Sequence, residues 1–469
     1  MNEAQKRRKQ RAIKVILTEF FMVLTVIALV VTLTLIVMGY KITGDGVLEQ
    51  DGFLQIRTTP TGATVAIDGD KLMSKTNLSR AVSSGEHEIS FSKDGYDTWT
   101  KTILITSGLT YRLNYPKLFL LEREEEKISK FKDLDFVSIS PRRDFMIAAS
   151  DQTRKWQVVS LDEEEPTTRI INLEEIIPEV TKGDFGRVRI AEWSKEKNKV
   201  LIIAEWISKR EWVIIDLDNI EYSKNLTTEF GMQFSDIKME NSTGEQLLVL
   251  ENGNLRKLDI TSAEMSRIFL NKVENFYNFG SEVIYVGRDK DGERHIGFYR
   301  EGDRESTIIE TLEDGATVKS ATGEYYGDKY TAIVVNDNVR IYRGNISAKK
   351  EKNALLIEDD LEFVPNEVTT HGDGELITMK NGKKYAVYDV ETNRFSKYEL
   401  ENGEVEWIND YMFSFVDTEG NLIIEDFDKG NRREVANNIA SGFDVSLTAD
   451  KWIYYIKSDN SLMRQKIAD

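Results

Sequence analysis

The chain has 469 residues, with 62 Lys and Arg against 80 Asp and Glu, and a net charge of −18. A chain this acidic repels nucleic acid, so we exclude nucleic-acid binding. The absence of cysteine excludes disulfides and thiolate nucleophiles. The three histidines, His87, His295 and His371, lie far apart in the sequence, and no GxSxG motif occurs. The sequence therefore gives little support for a His-rich metal site or a Ser-His-Asp triad. We expect no cofactor.

The N-terminus combines a basic tail with a long apolar stretch. Residues 1–14 carry six Lys and Arg, and the 24 residues Val15–Met38 are almost wholly apolar. About 20 such residues, at 1.5 Å rise each, cross a hydrocarbon core of roughly 30 Å. A cleaved signal peptide, the competing interpretation, has an apolar core of only about 7–15 residues. We therefore predict an uncleaved single-pass anchor in the cell membrane, with a cytoplasmic N-terminus and an extracytoplasmic body.

A linker, residues 39–50, then leads to a predicted small β domain, residues 51–115. Leu54 and Ile56 alternate with polar residues, as do Ile89 and Phe91, and this alternation is typical of half-buried strands. Turn residues separate the apolar runs. These turn candidates are Pro60, Gly62, Ala63, Asp68, Gly69, Gly95 and Tyr96.

The order of these turns resembles the PEGA domain. The run L-x-I-x-T-x-P-x-G-A-x-V-x-I-D-G is followed by G-E-H-E-I and K-D-G-Y, while the G-x-T-P turn of that family reads Ser74-Lys75-Thr76-Asn77 here. The resemblance implies a β-sandwich-like module of exported bacterial and archaeal proteins, often proposed to contact cell-wall or surface-layer material. It implies no catalytic residues.

The remainder, residues 117–469, is predicted to be a β-propeller. Apolar strand patterns recur, from FMIAAS at Phe145 and VLIIAEW at Val200 to WIYYIKS at Trp452, with a mean period of about 44 residues. Four short strands every 40–45 residues are typical of propeller blades. We expect eight blades within residues 131–469, with seven as the alternative.

The eighth unit lacks a fourth strand before Asp469. An open edge would leave unpaired backbone groups. We predict that residues 117–122 supply the missing strand and close the ring.

Parts of the repeat resemble exported propellers of the TolB and PD40 type, which are WD40-like. Ala191-Glu192-Trp193-Ser194 followed by Lys199-Val200-Leu201 is similar to their W-S-P-D-G-K-x-L motif. The resemblance implies a fold and a binding role, not a reaction.

Several acidic and aromatic groups are candidate sites. Asp289–Glu293 is calcium-like but lies between two strands, so we favour a hairpin turn there and at the acidic runs that begin at Asp417 and Asp426. The acidic run 122–126 is interpreted as a solvated loop. Trp193, Trp206 and Trp212 favour packing between blades over sugar stacking.

The sequence thus predicts an all-β, membrane-tethered envelope protein without enzymatic activity. Its expected partners are the membrane and an extracytoplasmic protein or cell-wall glycan. The alternative is a propeller glycoside hydrolase or lyase with paired acids in its channel.

Overall fold

The computed structural model divides the chain into two compact units, residues 1–122 and 123–467. The structure describes residues 3–37, 39–42, 48–149, 154–161, 164–181, 185–344, 346, 355–372, 374–400, 405–440, 442, 445–448 and 451–468. Parts of the predicted anchor, linker and propeller, such as Met38, residues 43–47 and Asp469, therefore lie outside the described residues.

One long helix, α1 (Glu3–Val37), opens the first unit. Its segment Ile16–Leu35 is apolar, long enough to cross a membrane, and buried nowhere in the molecule. The hydroxyls of Thr18, Thr25 and Thr34 each donate to the carbonyl four residues earlier at 2.8 Å, so these polar groups are satisfied within the helix. The predicted apolar helix is confirmed, and it has the length and composition of a membrane anchor or a signal sequence.

Two short strands lie within the predicted linker. Strand β1 (Tyr40–Ile42) pairs antiparallel with β2 (Leu48–Gln50).

The rest of the first unit forms two sheets. One has the order β5-β4-β7-β8 and the other the order β6-β3-β9, in which β3 and β9 run parallel. Both sheets contribute fully buried side chains, such as Phe91 and Trp99 from one and Leu54 from the other. The strands are β3 (Gly52–Ile56), β4 (Thr64–Ile67), β5 (Asp70–Lys75), β6 (Leu78–Val82), β7 (Gly85–Ser92), β8 (Trp99–Ile105) and β9 (Thr110–Leu113).

The described part of the second unit contains eight four-stranded antiparallel sheets, which resemble propeller blades. We number them sheets 1 to 8. Sheet 1 comprises β11 (Phe136–Ile139), β12 (Phe145–Ala149), β13 (Lys155–Ser160) and β14 (Thr168–Asn172), and sheet 2 comprises β15 (Phe185–Trp193), β16 (Lys199–Trp206), β17 (Arg210–Asp216) and β18 (Lys224–Asn225). Sheet 3 comprises β19 (Asp236–Met239), β20 (Gln246–Glu251), β21 (Asn254–Asp259) and β22 (Glu264–Met265), and sheet 4 comprises β23 (Val273–Phe279), β24 (Glu282–Arg288), β25 (Arg294–Arg300) and β26 (Thr307–Thr311).

Sheets 5 to 7 continue the pattern in chain order, and sheet 8 takes its fourth strand from the start of the unit. Sheet 5 comprises β27 (Val318–Tyr325), β28 (Asp328–Val335), β29 (Asn338–Arg343) and β30 (Leu355–Asp360), and sheet 6 comprises β31 (Glu367–His371), β32 (Leu376–Asn381), β33 (Lys384–Asp389) and β34 (Arg394–Glu399). Sheet 7 comprises β35 (Glu406–Trp407), β36 (Met412–Val416), β37 (Leu422–Asp426) and β38 (Arg433–Ala436), and sheet 8 comprises β39 (Ser446–Thr448), β40 (Trp452–Ile456), β41 (Ser461–Lys466) and β10 (Glu125–Lys130).

Among the residues that the structure describes, short helices occur only within sheet 2, between sheets 1 and 2, and between sheets 2 and 3. They are the α-helices α2 (Leu173–Ile176) and α3 (Leu226–Phe230) and the 3₁₀ turns Pro178–Thr181 and Ile220–Tyr222.

Sheets 1 to 5 each share an apolar core with both neighbouring sheets, which explains why their second strands are apolar on both faces. In β16, Val200 and Ile202 join the core shared with sheet 1, whereas Leu201 and Ile203 join the core shared with sheet 3. Alternate residues of a strand point to opposite faces, so a continuous apolar run serves two cores. The last sheet packs on the first, because Tyr454 lies in one cluster with Met146 and Ala148 of β12.

The prediction that residues 117–122 form the closing strand is wrong. Lys117 and Leu120 form isolated bridges with Thr59 and Tyr96 of the first unit. Strand β10 pairs with β41 instead, with Glu125 opposite Gln465 and Glu126 opposite Arg464. The closing strand thus lies in the acidic run that the sequence analysis interpreted as a solvated loop.

The acidic residues of β10 have specific partners. Glu125 accepts hydrogen bonds from Tyr455 at 2.7 Å and from Lys457 at 2.5 Å. Glu126 accepts one from Arg464 Nε at 2.6 Å, and the Arg464 side chain is only 5% exposed. The guanidinium carbon of Arg464 lies 4.1 Å from the ring centroid of Trp452.

We predict that Arg464→Ala lowers the free energy of unfolding by about 2 kcal/mol, because it removes a buried guanidinium that donates to the half-exposed Glu126 and to the Tyr454 hydroxyl. The matched control is Arg343→Ala, whose ion pair with Asp328 is exposed and should contribute less than about 1 kcal/mol. Urea unfolding of both variants measures the difference. Equal losses would contradict a stabilising role for this closing contact.

Candidate functional site

Several predicted turn residues of the first unit have the positive φ angles that tight turns require. Gly62, Gly69 and Gly95 have φ of +78°, +84° and +82°, a region that favours glycine, and Asp68 has φ +52°. Tyr96 is 8% exposed, and its N–H donates to the Lys93 carbonyl at 3.0 Å.

Thr76, which the PEGA-like pattern retains, connects its turn to the Pro60–Ala63 turn. Its Oγ1 lies 2.7 Å from Thr58 Oγ1 and accepts the N–H of Ala63 at 3.0 Å. The Thr76 carbonyl accepts the N–H of Gly62 at 2.9 Å, and Thr58 Oγ1 donates to the carbonyl of Pro60 at 2.8 Å. These bonds give the motif a structural role.

One Ser-His-Asp arrangement is present after all, in the first unit. His87 Nδ1 lies 2.6 Å from Asp68 Oδ2, and Nε2 lies 3.2 Å from Ser83 Oγ. Nε2 is closer, at 2.9 Å, to the main-chain oxygen of Ser83. The His87 ring therefore links the Asp68 turn to the Ser83 turn through a carboxylate and a main-chain oxygen, and the main-chain oxygen lies closer to Nε2 than the serine hydroxyl does.

In the second unit, a charged cluster lies on neighbouring first strands. We call Glu192, Asp236, Lys238 and Tyr277 the inner-strand cluster. Glu192 Oε2 accepts the N–H of Met239 at 2.7 Å, and Lys238 Nζ lies 3.9 Å from Asp236 Oδ2 and 4.5 Å from the Tyr277 ring centroid. The Tyr277 hydroxyl donates to the Val318 carbonyl at 2.5 Å, so the contacts of the cluster extend across sheets 2 to 5.

Burial sets the ionisation of this cluster. It raises the pKa of Glu192 to about 7, against the opposing effects of the Met239 N–H and Lys238. Burial also raises the pKa of Asp236, lowers that of Lys238, and raises that of Tyr277 to about 12. Glu192 therefore changes its charge near neutral pH.

A cavity of about 860 Å³ opens beside Glu192. Its volume lies in the range of small-molecule sites, roughly 300–1,000 Å³. The turns that join first to second strands in sheets 2 to 4, with the ends of those first strands, supply part of its wall, and the third and fourth strands of sheet 3 supply much of the rest. Its lining combines apolar, neutral polar and charged side chains: Glu192, Trp193, Lys195, Met239, Glu240, Asn241, Ser242, Gln246, Lys257, Leu258, Asp259, Glu264, Met265, Ser266, Asn278, Phe279, Ser281, Glu301 and Thr322.

Lys257 holds two acids of the cavity together. Its ammonium contacts Glu240 Oε1 and lies 2.9 Å from Glu301 Oε2. Burial disfavours the charge of Lys257, but hydrogen bonds with the two carboxylates outweigh burial and raise its pKa. The Glu240 side chain is 8% exposed, and its Oε2 has no hydrogen-bond partner within the described part of the chain.

A smaller cavity, of about 210 Å³, lies against sheets 1, 6 and 7. His371 stacks on Trp407 there, with ring centroids 4.3 Å apart. Burial, with Arg143 and Lys380 nearby, lowers the pKa of His371 to about 3, so its imidazole is neutral at physiological pH. His295 lies in sheet 4 and packs against Tyr285, so the second-unit histidines do not meet.

The tryptophans divide between two roles. Trp206 and Trp212 are 6% and 2% exposed and belong to the cores on the two sides of sheet 2. Trp193 is half-buried, donates to Ser138 Oγ at 2.9 Å, and lines the larger cavity. The cavity itself was missed in the sequence, because its walls come from three or more repeats; only Trp193 and its neighbour Glu192 were in a motif already noted.

The calcium-like runs are hairpin turns, as expected. Asp289 Oδ1 accepts the N–H groups of Asp291 and Glu293 at 2.9 Å each, between the paired strands β24 and β25. Asp417 Oδ1 accepts those of Glu419 and Asn421 at 2.9 Å each. These carboxylates stabilise their own turns.

One family model matches part of the first unit. Residues 52–118 match the family model described as the PEGA domain, which confirms that resemblance. The comparison with curated proteins gives no match.

Several solved structures are similar to the chain at low identity. The C-terminal WD40 domain of Sif2 has 10% identity and a TM-score of 0.47, covering 74% of this chain and 99% of that chain. The β-propeller domain of Myceliophteria thermophila Cps50 (Swd1) has 8% identity and a TM-score of 0.40, covering 74% and 100%. Apo AztD from Citrobacter koseri has 9% identity and a TM-score of 0.40, covering 82% and 98%. The blade-like architecture rests on the strand order and packing described above.

Glu192 gives a pH-dependent prediction. Its pKa is about 7 in the folded state, against about 4.5 in the unfolded state. Protonation of Glu192 therefore adds fully to the stability of the folded state below about pH 4.5, and this stabilisation is lost as the pH rises through about 7. Glu192→Gln should therefore stabilise the protein at pH 8 by up to about 3 kcal/mol, and have little effect at pH 4.5.

The matched control in the same sheet has the opposite sign. Hydrogen bonds from Arg189 and Arg187 lower the pKa of Glu205 to about 2, so its contribution is present at neutral pH and lost as pH falls through that value. Glu205→Gln should destabilise the protein at pH 8. Thermal unfolding at both pH values tests the pair, and destabilisation by Glu192→Gln at pH 8 would contradict the burial argument.

Proposed function

We propose that the chain is a membrane-tethered, non-enzymatic binding protein of the cell envelope. In this proposal α1 is an uncleaved anchor with its N-terminus in the cytoplasm, and the remaining chain is extracytoplasmic. The exposed apolar surface of Ile16–Leu35 and the preceding basic tail support this orientation. Anchoring raises the effective concentration of the binding units near surface partners.

The eight sheets are, in this proposal, the eight blades of one closed TolB-like propeller. The packing of sheet 8 on sheet 1 supports closure. The PEGA domain and the propeller would each present loops to an extracytoplasmic protein or to cell-wall glycan, since loops on a rigid scaffold commonly carry binding residues.

The observation that carries the binding function is the cavity of about 860 Å³. Strands and turns from neighbouring sheets form its wall. Charged groups with perturbed pKa values, Glu192 and Lys257, lie in the same wall as Trp193 and Phe279. Such a combination of apolar surface and a few charged groups is typical of ligand sites.

A retention experiment tests this function. The full chain in nanodiscs is immobilised and exposed separately to purified cell wall and to membrane extract. Glu301→Lys reverses the charge of an exposed side chain in the cavity wall and should reduce retention of the partner by about tenfold or more. Glu419→Lys, the same change on an exposed turn of sheet 7, should leave retention unchanged.

Retention that is equal in both variants would contradict binding through the cavity. Retention of nothing by the unmodified chain would contradict the binding function itself.

The second candidate function is a glycoside hydrolase or lyase, and Glu192 is the observation that favours it. A carboxyl with a pKa of about 7 is protonated in part at neutral pH and can act as a general acid. Incubation with cell-wall polysaccharide distinguishes the two functions. New reducing ends that disappear in Glu192→Gln would favour the enzyme, whereas binding without cleavage favours the non-enzymatic protein.

A further inference from the structure

The turn that joins β16 to β17 in sheet 2 exposes an apolar side chain. Ile207 is 90% exposed, whereas Trp206 directly before it is 6% exposed and belongs to the core shared with sheet 1. The Trp206 N–H donates to the Lys209 carbonyl at 2.8 Å, which closes the turn. We call residues 206–210 the sheet 2 turn. It holds an aliphatic group in solvent on a base that is firmly packed.

The equivalent turns of sheets 3 to 8 are polar. Between the second and third strands, these turns contain only Asn, Asp, Gly, Ser, Thr, Glu and Lys, at residues 252–253, 289–293, 336–337, 382–383, 417–421 and 457–460. Such residues suit turns because they accept positive φ or bond to nearby backbone groups. Ile207 does neither, and a departure from local turn chemistry is expected where a residue serves function.

Arginines lie at the same end of sheet 2. The side chains of Arg187 and Arg189 are 58% and 45% exposed, and each donates to Glu205 at 2.9 Å. Arg210 is exposed and is the Cα partner of Glu205 in the pairing of β16 with β17. Three guanidinium groups therefore surround one carboxylate, which leaves an excess of positive charge beside Ile207.

Two further acids of this region have lysine partners of their own. Glu211 Oε1 lies 2.6 Å from Lys209 Nζ, and Asp236 Oδ2 lies 3.9 Å from Lys238 Nζ. The Lys209 ammonium also lies 4.5 Å from the ring centroid of Trp206. These pairs leave the positive excess of the arginines in place.

The local charge, rather than the net charge of −18, governs a contact at this turn. Salt screens interactions between exposed charges beyond roughly 8 Å at physiological ionic strength. A surface that touches the sheet 2 turn therefore interacts mainly with the arginines. The rest of the acidic exterior lies beyond this range for most of its extent.

An aliphatic side chain ringed by cations matches the chemistry of an anionic bilayer surface. Basic groups attract negative headgroups, while an apolar side chain enters the boundary between headgroups and acyl chains. A hydrophilic polyanion would satisfy the arginines but leave Ile207 in water. The membrane anchor proposed for α1 places a bilayer beside this same chain.

We propose that the sheet 2 turn contacts anionic lipid headgroups, with Ile207 entering the bilayer interface and Arg187, Arg189 and Arg210 against the phosphates. This inference rests on the membrane tethering proposed above and adds an interaction surface to it. The turn that joins β15 to β16, which contributes Lys195 to the larger cavity, lies at the opposite end of sheet 2. The lipid contact and the cavity are therefore separate surfaces of this sheet.

Fluorescence quenching tests this contact, because the chain has no cysteine to compete with a single labelled one. Ser208→Cys, an exposed position next to Ile207, is labelled with a nitrobenzoxadiazole dye in the full chain in nanodiscs that contain nitroxide lipid. Quenching should be at least about twofold stronger in discs with phosphatidylglycerol than in discs of phosphatidylcholine alone, because the arginines need negative headgroups. A control label at Lys197→Cys, exposed at the other end of sheet 2, should be quenched less than the label at residue 208.

Variants in the Ser208→Cys background identify the groups responsible. Ile207→Ser and Arg210→Gln should each lower the quenching in anionic discs by at least about twofold, because one removes the apolar insertion and the other a cation. The matched control is Tyr222→Ser, which changes a side chain that is 69% exposed at the other end of sheet 2 and should leave the quenching unchanged. All three positions are exposed, and thermal unfolding checks that the variants remain folded.

Equal quenching at residues 208 and 197, equal quenching in the two kinds of disc, or quenching that neither Ile207→Ser nor Arg210→Gln reduces would overturn the proposal. A label at residue 208 whose emission changes only when membrane-extract proteins are added would indicate a protein partner and would also overturn it. A chain that does not remain in the discs would contradict both the tethering and the lipid contact. Stable insertion without quenching at residue 208 removes the lipid contact alone.

Discussion

The second unit depends on one non-covalent contact, the pairing of β10 (Glu125–Lys130) with β41 (Ser461–Lys466). This pair joins residues more than 300 positions apart and covers the edge that the last hairpin would otherwise expose. No disulfide can fasten the ends, because the chain has no cysteine. Partly buried hydrogen bonds of Arg464 and Tyr455 with the acids of β10 stabilise the junction instead. Sheet 8 packs on sheet 1, and sheets 1 to 5 each share an apolar core with both neighbouring sheets, which holds their first strands beside one another.

That arrangement also explains the charged groups. The inner-strand cluster places Glu192 and Lys238 in partly buried surroundings, where their charged forms are costly and their pKa values shift toward neutrality. Glu192 also lines the cavity of about 860 Å³. The proposed binding function therefore depends on the packing of neighbouring sheets, which positions the residues of this wall.

The sequence predicted the repeat because each second strand is a continuous apolar run, as in Val200–Ala204, and predicted the PEGA domain because its turns need glycine at fixed spacing. It missed the closing strand because β10 is acidic: its side chains are satisfied by Arg464, Tyr455 and Lys457, which lie at the other end of the chain. Residues 117–122 were more apolar, and they pack with the first unit instead.

The cavity was missed for a similar reason, since Glu192, Glu240 and Glu301 belong to different repeats, and spacing within a repeat carries no information about contacts between repeats. The Ser83, His87 and Asp68 contact likewise depends on two turns meeting in space.

Disulfide trapping tests the central claim of ring closure most directly, since the chain offers a background free of cysteine. Lys127 and Met463 are Cα partners in the closing pair, so Lys127→Cys with Met463→Cys should form an intramolecular disulfide on mild oxidation, detected by mass spectrometry of the linked peptides. The control, Glu122→Cys with Met463→Cys, samples the end of the segment that the sequence favoured. Linkage of residues 127 and 463 without linkage in the control is the predicted result. Linkage only in the control, or none in the 127–463 variant, would contradict closure by β10.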